Sequence, residues 1–135
     1  MAISNLQETL LMYTKYKSMI NYSLADIQMN ILEATKQTTD QQAIYNEAQQ
    51  QYYDYYEQEG MEEYHDEYVA LMAELENEYE FRLDNIKSWE EQLMTDKLSY
   101  EARLAEIQAN ENSVRSLLKT NLKSDFTYGG SGQSS

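Results

Sequence analysis

Apolar and aromatic side chains recur every three or four residues along the first half of the chain and never form a long run. When Ile3 is placed at heptad position a, twelve of the sixteen a and d positions as far as Tyr55 are apolar or aromatic. The exceptions are Lys17, Thr38, Gln41 and the small Ala48. A repeat of about 3.5 residues places the a and d side chains on one stripe of a helix, which is typical of a coiled coil. We expect Lys17, a charged residue at an a position, either to specify the register or to extend out of the seam.

The second half of the chain carries a similar stripe. Its members step by three or four residues from Tyr64 to Leu93 and continue in a shifted phase from Tyr100 to Leu118, with Glu111 as a polar gap. The shift of phase between these two stretches indicates either a stutter in the repeat or a break in the helix. Two amphipathic stripes of similar length predict two long helices.

The positions of glycine and proline place the turn between these helices. The chain has no proline, and Gly60 is the only glycine in the first 128 residues. Because proline and glycine are the residues that most destabilise a helix, their absence permits helix almost throughout. We therefore predict an all-α fold, a long antiparallel helical hairpin or coiled coil. Residues 1–126 form a single helical domain, with the first arm at about 3–58, the turn at 59–61 and the second arm at about 61–123.

Two alternative folds are compatible with the same pattern. One is a compact three- or four-helix bundle with breaks near 38–40 and 95–98, because Thr39 and Gln42 have the spacing of a capping box. The other is one continuous rod, because a lone glycine costs a helix only about 1 kcal/mol. The Gly/Ser-rich segment 127–135 is interpreted as a flexible tail or a scar of cloning, outside the fold.

The apolar stripes define a candidate seam between the helices, and the same surface is the candidate interface with a partner helix. Its predicted members are Leu6, Leu10, Tyr13, Ile20, Leu24, Ile27, Ile31, Leu71, Leu75, Ile86, Trp89, Leu93, Leu104, Ile107 and Leu118.

Charge is distributed unevenly along the chain. The formal net charge is -14, yet residues 1–37 and residues 81–124 each balance to zero, while residues 54–80 contain eleven acidic residues and no lysine or arginine. Tyrosines concentrate around the same stretch and define an acidic–aromatic tip: Tyr52, Tyr53, Tyr55, Tyr56, Tyr64 and Tyr68. Tyrosine is enriched at interfaces. The tip is therefore either a solvated acidic loop or a docking surface for a basic partner or for the neutral end of a neighbouring copy.

The sequence offers little for catalysis. It has no cysteine, and His65 is its only histidine, so a nucleophile has one histidine base available to it. Glu62 and His65 have the Glu-x-x-His spacing of carboxylate-bridged metal proteins, a weak signal in so acidic a segment. We expect no enzymatic activity and no cofactor.

The pattern as a whole favours a non-enzymatic structural or interaction protein, a helical hairpin that self-associates into an oligomer or filament, either inside the cell or after export. One alternative is a soluble coiled-coil adaptor or chaperone of a bacterial secretion system. A second is a metal-binding protein whose site is completed on assembly, with Glu62 and His65 among its ligands. The expected partner is protein, with a homo-oligomer formed through helix packing. The acidity argues against nucleic acid. No cleavable signal peptide or membrane span is predicted, so location is either the cytoplasm or outside the cell by a signal-peptide-independent route.

Overall fold

The fold is an antiparallel pair of long helices, which confirms the predicted all-α hairpin. A computed structural model describes the backbone of residues 2–134 and the side chains of residues 2–125. Within that range, helix α1 spans Ile3–Glu59 and helix α2 spans His65–Ser134, and there is no strand. No helix in the described part of the chain has an apolar stretch long enough to cross a membrane.

Both helices are continuous where the sequence suggested a break, so the bundle alternative is wrong. The Thr38 and Thr39 hydroxyls donate to the carbonyl oxygens of Ala34 and Thr35, at 3.1 and 3.2 Å. Thr95 donates in the same way to the Glu91 carbonyl at 3.0 Å. A threonine hydroxyl that bonds four residues back is satisfied within the helix and does not compete for a new cap. Thr39 therefore extends α1 instead of starting a second helix.

Gly60 ends α1 because its backbone adopts a conformation that other residues avoid. Its φ is 114°, in the region that only glycine enters without strain, and its N–H donates to the Tyr56 carbonyl at 3.0 Å. The Tyr64 N–H then donates to the Gly60 carbonyl at 3.2 Å, which closes one isolated helical turn before α2 begins at His65. The turn is therefore Gly60–Tyr64, longer than the predicted 59–61. As a result the second helix begins at His65 and not near residue 61.

The C-terminal end also differs from the prediction. Helix α2 runs to Ser134, whereas the second arm was expected to end near 123. The helical backbone of α2 therefore continues through most of the segment 127–135 that was interpreted as a flexible tail or a scar of cloning, and the origin of that segment stays a prediction.

The chain divides into two compact units. The terminal unit contains Met1–Asp26 and Asp96–Ser135, and the turn unit contains Ile27–Thr95. In the terminal unit Leu6 and Ile20 are buried, and in the turn unit the buried side chains are Ile27, Ala34, Tyr56, Ile86 and Leu93. Burying a leucine or isoleucine side chain contributes about 1.5–3 kcal/mol to the free energy of folding. Each unit is therefore stabilised by its own small set of buried side chains.

The heptad frame of α1 describes the buried face closely until its last two turns. Every a and d position from Ile3 to Ala48 is buried or half-buried. Beyond them Tyr52 and Tyr55 are exposed, and Tyr56 is buried instead. A straight helix has about 3.6 residues per turn, so a strict seven-residue repeat drifts off the contact line until the next residue replaces it.

Candidate interaction surfaces

The two units differ completely in charge. The terminal unit contains seven basic and seven acidic residues, so it is neutral. The turn unit contains seventeen acidic and three basic residues and carries the whole net charge of -14. A charged surface repels its own copies and attracts cations, whereas a neutral one does neither. The two units therefore suit different partners.

A buried ion pair fixes the seam of the terminal unit. Glu111 is only 7 % exposed, and its Oε2 atom lies 2.8 Å from the Lys17 Nζ atom. Its Oε1 atom accepts a hydrogen bond from the Arg115 Nε atom at 3.2 Å. Lys17 and Arg115 therefore each contact one oxygen of the buried carboxylate. Glu111, the polar gap in the second stripe, is therefore the partner of Lys17, the charged a position in the first stripe.

The same contacts govern the ionisation of Glu111. The short polar contact with Lys17 is the main reason that the pKa of the Glu111 carboxyl is lowered, and the bond from Arg115 acts in the same direction. Burial opposes them, because it disfavours the charged form. The net lowering means that Glu111 is ionised at neutral pH, with its charge matched inside the seam.

Several large apolar side chains of the terminal unit face solvent on the side of α1 away from the seam. Leu11 and Tyr22 are 71 % and 75 % exposed, and Met12 and Met19 are also exposed. These four side chains, which we call the outer face, occupy heptad positions b, c and f, opposite a and d. Exposed apolar residues that gather on one side of a helix indicate contact with another protein, whereas scattered ones do not.

A groove between the helices of the terminal unit adjoins this face. It has a volume of about 320 Å³, and its lining includes Tyr16, Met19, Ile20 and Ile107. On its α2 side the Arg103 Cζ atom lies 5.4 Å from the centre of the Tyr100 ring, a cation–π contact within one helix. Apolar grooves between helices are the surfaces that accept a third amphipathic helix.

Tyrosines form the packing of the turn unit. Tyr45 and Tyr79 stack with ring centres 4.3 Å apart and planes 9° from parallel. Nearer the turn, the buried Tyr56 ring makes edge contacts with Tyr55 at 5.0 Å and with Tyr68 at 5.6 Å. Offset and edge arrangements of this kind contribute about 0.5–1.5 kcal/mol beyond the area they bury. In the turn unit, tyrosine rings therefore pack where aliphatic side chains pack in most coiled coils.

A small cavity opens beside these rings. It has a volume of about 140 Å³ and is lined by Tyr55, Tyr56, Glu59, Tyr64 and Glu67. The pKa of Tyr56 is raised, chiefly by burial and then by the charge of Glu67 and a hydrogen bond with it. The Tyr56 hydroxyl is therefore neutral at physiological pH, while the Glu67 carboxylate brings negative charge to the cavity wall.

The predicted residues of the tip fall into two groups. Tyr56 is buried and Tyr68 half-buried, whereas four others are exposed: Tyr52, Tyr53, Tyr55 and Tyr64. Sequence reasoning did not separate these groups, and it missed the part that Glu59 and Glu67 take in the cavity.

The weak candidate metal ligands are not part of a larger cluster. Glu62 lies in the turn and His65 is the first residue of α2, and both are exposed. In the part of the chain that the structure describes, no group of three or more His, Cys, Asp or Glu side chains could hold a metal ion. The assembly-dependent site predicted for this pair needs ligands from a second copy, so it stays a prediction.

Comparison with known proteins adds no family to this description. No protein family matches the chain, and no curated protein or solved structure shows significant similarity to it. Its class is given by the fold alone, an all-α antiparallel helical hairpin.

Proposed function

We propose that this protein is a non-enzymatic structural or interaction protein, whose copies associate through the terminal unit into an oligomer or filament. The observation that supports the proposal is the outer face, which exposes Leu11, Met12, Met19 and Tyr22 on an electrically neutral unit. Leaving such side chains in water forgoes about 1.5–3 kcal/mol for each large one that a partner could bury. A second copy of the chain is a partner that is available wherever the protein itself is present.

Electrostatics favour the terminal unit over the turn unit as the place of contact. Two terminal units carry no net charge and do not repel each other. Two turn units each carry fourteen negative charges, and contact between them would require those charges to approach within the screening distance of about 8 Å at physiological salt. Self-association through the neutral unit avoids this repulsion.

The test compares two charge-neutral double substitutions. Leu11→Gln with Tyr22→Gln removes the apolar character of the outer face, whereas Met29→Gln with Leu32→Gln changes equally exposed residues of the turn unit. Glutamine is a good helix former, so both variants are expected to keep their helical content. The molar mass of each protein is measured by light scattering after size exclusion, over a wide range of concentration.

We expect the wild type and the Met29/Leu32 variant to form oligomers, and the Leu11/Tyr22 variant to remain monomeric at concentrations at least tenfold higher. A wild type that is monomeric at every concentration would overturn the proposal and favour the adaptor alternative, in which the groove binds a helix of another protein. Oligomers of undiminished stability in the Leu11/Tyr22 variant would also overturn it.

A further inference from the structure

The cavity of the turn unit has a lining that is unusual for so small a space. Three of its five residues are tyrosines and the other two are glutamates. The faces of tyrosine rings carry partial negative charge, so they attract cations. The carboxylates of such a wall repel anions. A neutral apolar group in the cavity would offer the two glutamates no partner.

The protein itself supplies no lysine or arginine to this cavity. The nearest lysine and arginine along the chain are Lys36 and Arg82, and the segment between them contains thirteen acidic residues. The exposed His65 follows Tyr64 but is not among the residues that line the cavity. At a rise of about 1.5 Å per residue, Arg82 lies about 22 Å along α2 from Glu67, and Lys36 about 28 Å along α1 from Tyr55. Both distances exceed the screening length at physiological salt. Moreover, the Arg82 Nη1 atom donates to the Gln41 Oε1 atom at 3.4 Å, away from the turn.

We propose that this cavity binds an organic cation, an alkylammonium or quaternary ammonium group, held by the exposed rings of Tyr55 and Tyr64 and by the carboxylates of Glu59 and Glu67. Its volume of about 140 Å³ is several times the share of one water molecule, about 30 Å³, and less than the 300–1,000 Å³ typical of drug-sized ligands. It therefore suits a cationic head group with the rest of the ligand outside.

The composition of the wall favours an organic cation over a metal ion. Calcium takes six to eight oxygen ligands and magnesium a near-ideal octahedron, in which carboxylates provide most of the charge. Here the lining contains only two carboxylates beside three tyrosines, too few charged oxygen ligands to replace the water of such a metal ion. A quaternary ammonium group has weakly held water and gains from the faces of aromatic rings, which is how aromatic cages recognise choline and methylated lysine.

The head group has two sources, a free small molecule and a side chain of a basic partner, and two probes distinguish them. One is choline, compared with its neutral isostere in which a tert-butyl group replaces the trimethylammonium group. The other is a short peptide with a single trimethyllysine, compared with the same peptide containing glutamine. Binding is followed by nuclear magnetic resonance, from the shifts of the tyrosine ring protons and of the ligand's methyl protons.

We expect saturable shifts confined to the tyrosines of the cavity, with the cation binding at least tenfold more tightly than its neutral counterpart. Tighter binding of choline would assign the site to a small molecule, and tighter binding of the peptide would assign it to a basic partner. Equal response to cation and isostere, or no saturable shift with either probe, would overturn the proposal.

Matched variants separate a cage from general attraction to an acidic surface. Tyr64→Leu is expected to weaken binding about three- to tenfold, the value of one cation–π contact, whereas Tyr64→Phe keeps the ring and should change binding no more than about twofold. Tyr53→Leu is the control, because Tyr53 is as exposed as Tyr64 but does not line the cavity. Tyr55→Leu repeats the test if Tyr64→Leu does not fold.

Equal weakening by Tyr53→Leu and Tyr64→Leu would refute the cage. These measurements do not depend on the proposed self-association, because the cavity lies wholly within the turn unit and the outer face within the terminal unit. Failure of one proposal leaves the other standing.

Discussion

Truncation of Leu93 tests whether the seam of the turn unit stabilises the hairpin. Leu93 is 6 % exposed on α2, and Leu32 in the same unit is 62 % exposed on α1. Leu93→Ala removes three buried carbon groups at about 0.8 kcal/mol each, about 2.4 kcal/mol. A cavity term adds to this cost where neighbours cannot close the gap, and it is small in a seam with solvent on two sides. We expect a loss of about 2–3 kcal/mol in the free energy of unfolding.

Leu32→Ala is the matched control. It makes the same chemical change where most of the side chain already contacts water, and alanine is the better helix former. We therefore expect a change of no more than about 0.5 kcal/mol, the usual range for surface substitutions. The difference between the two variants isolates burial from the intrinsic preference for helix.

The assay is urea unfolding followed by the helical circular dichroism signal. Titrations at several protein concentrations keep the contribution of association apart from that of folding. Equal losses in Leu93→Ala and Leu32→Ala would refute the assignment of the buried face. So would a loss below about 0.5 kcal/mol in Leu93→Ala with an unchanged dependence on urea, because the seam would then not be formed in solution.

Three further perturbations test the turn, the buried ion pair and the charge of the turn unit. Gly60→Ala places a side chain at a φ of 114° with no closer contact than 4.0 Å, so we expect backbone strain alone to cost about 1–2 kcal/mol in urea unfolding, and a more stable variant would contradict this geometry. Because the folded pKa of Glu111 is lowered, its stabilising contribution is present above the ordinary glutamate pKa and is lost as the pH falls through the folded value. Wild type should therefore lose stability on acidification relative to Glu111→Gln, and parallel stability–pH curves would exclude a role for the pair. Added sodium chloride should slow amide hydrogen exchange in the turn unit and leave the neutral terminal unit nearly unchanged, and equal slowing in both would show that net repulsion is not the cause.

The sequence predicts the helices better than it predicts their pairing. The stripes and the lone Gly60 are local signals, and they are enough to define the helices and the approximate turn. The mistaken break at Thr39 has a local cause as well, because threonine bonds equally well as a cap and within a helix. Near the end of α1 the buried position passes from Tyr55 to Tyr56. This happens because the heptad stripe has rotated around the helix away from the contact line, and a fixed seven-residue repeat does not include that rotation.

The ion pair shows most clearly what a one-dimensional pattern omits. Lys17 and Glu111 each stand out as the polar exception in an apolar stripe, and their opposite charges are a signal that could have joined them. A reflection about Gly60, however, would place Lys17 opposite Arg103, a residue of the same sign. The isolated turn before His65 displaces the second arm and moves the partner of Lys17 towards Glu111. The partner of a seam residue thus depends on the conformation of a few turn residues, which local propensity leaves open.

Segregation of charge connects the two proposals without making either depend on the other. Copies that join through terminal units collect their turn units into one assembly, and each adds fourteen negative charges to it. Contact through the neutral units keeps these charges out of the contact itself, and any repulsion that remains between turn units is reduced by salt or by bound cations. An organic cation in the cavity lowers the charge of a turn unit by one without touching the outer face. Assembly that tightens with bound cation in wild type, but not in Tyr64→Leu, would therefore measure the electrostatic coupling directly.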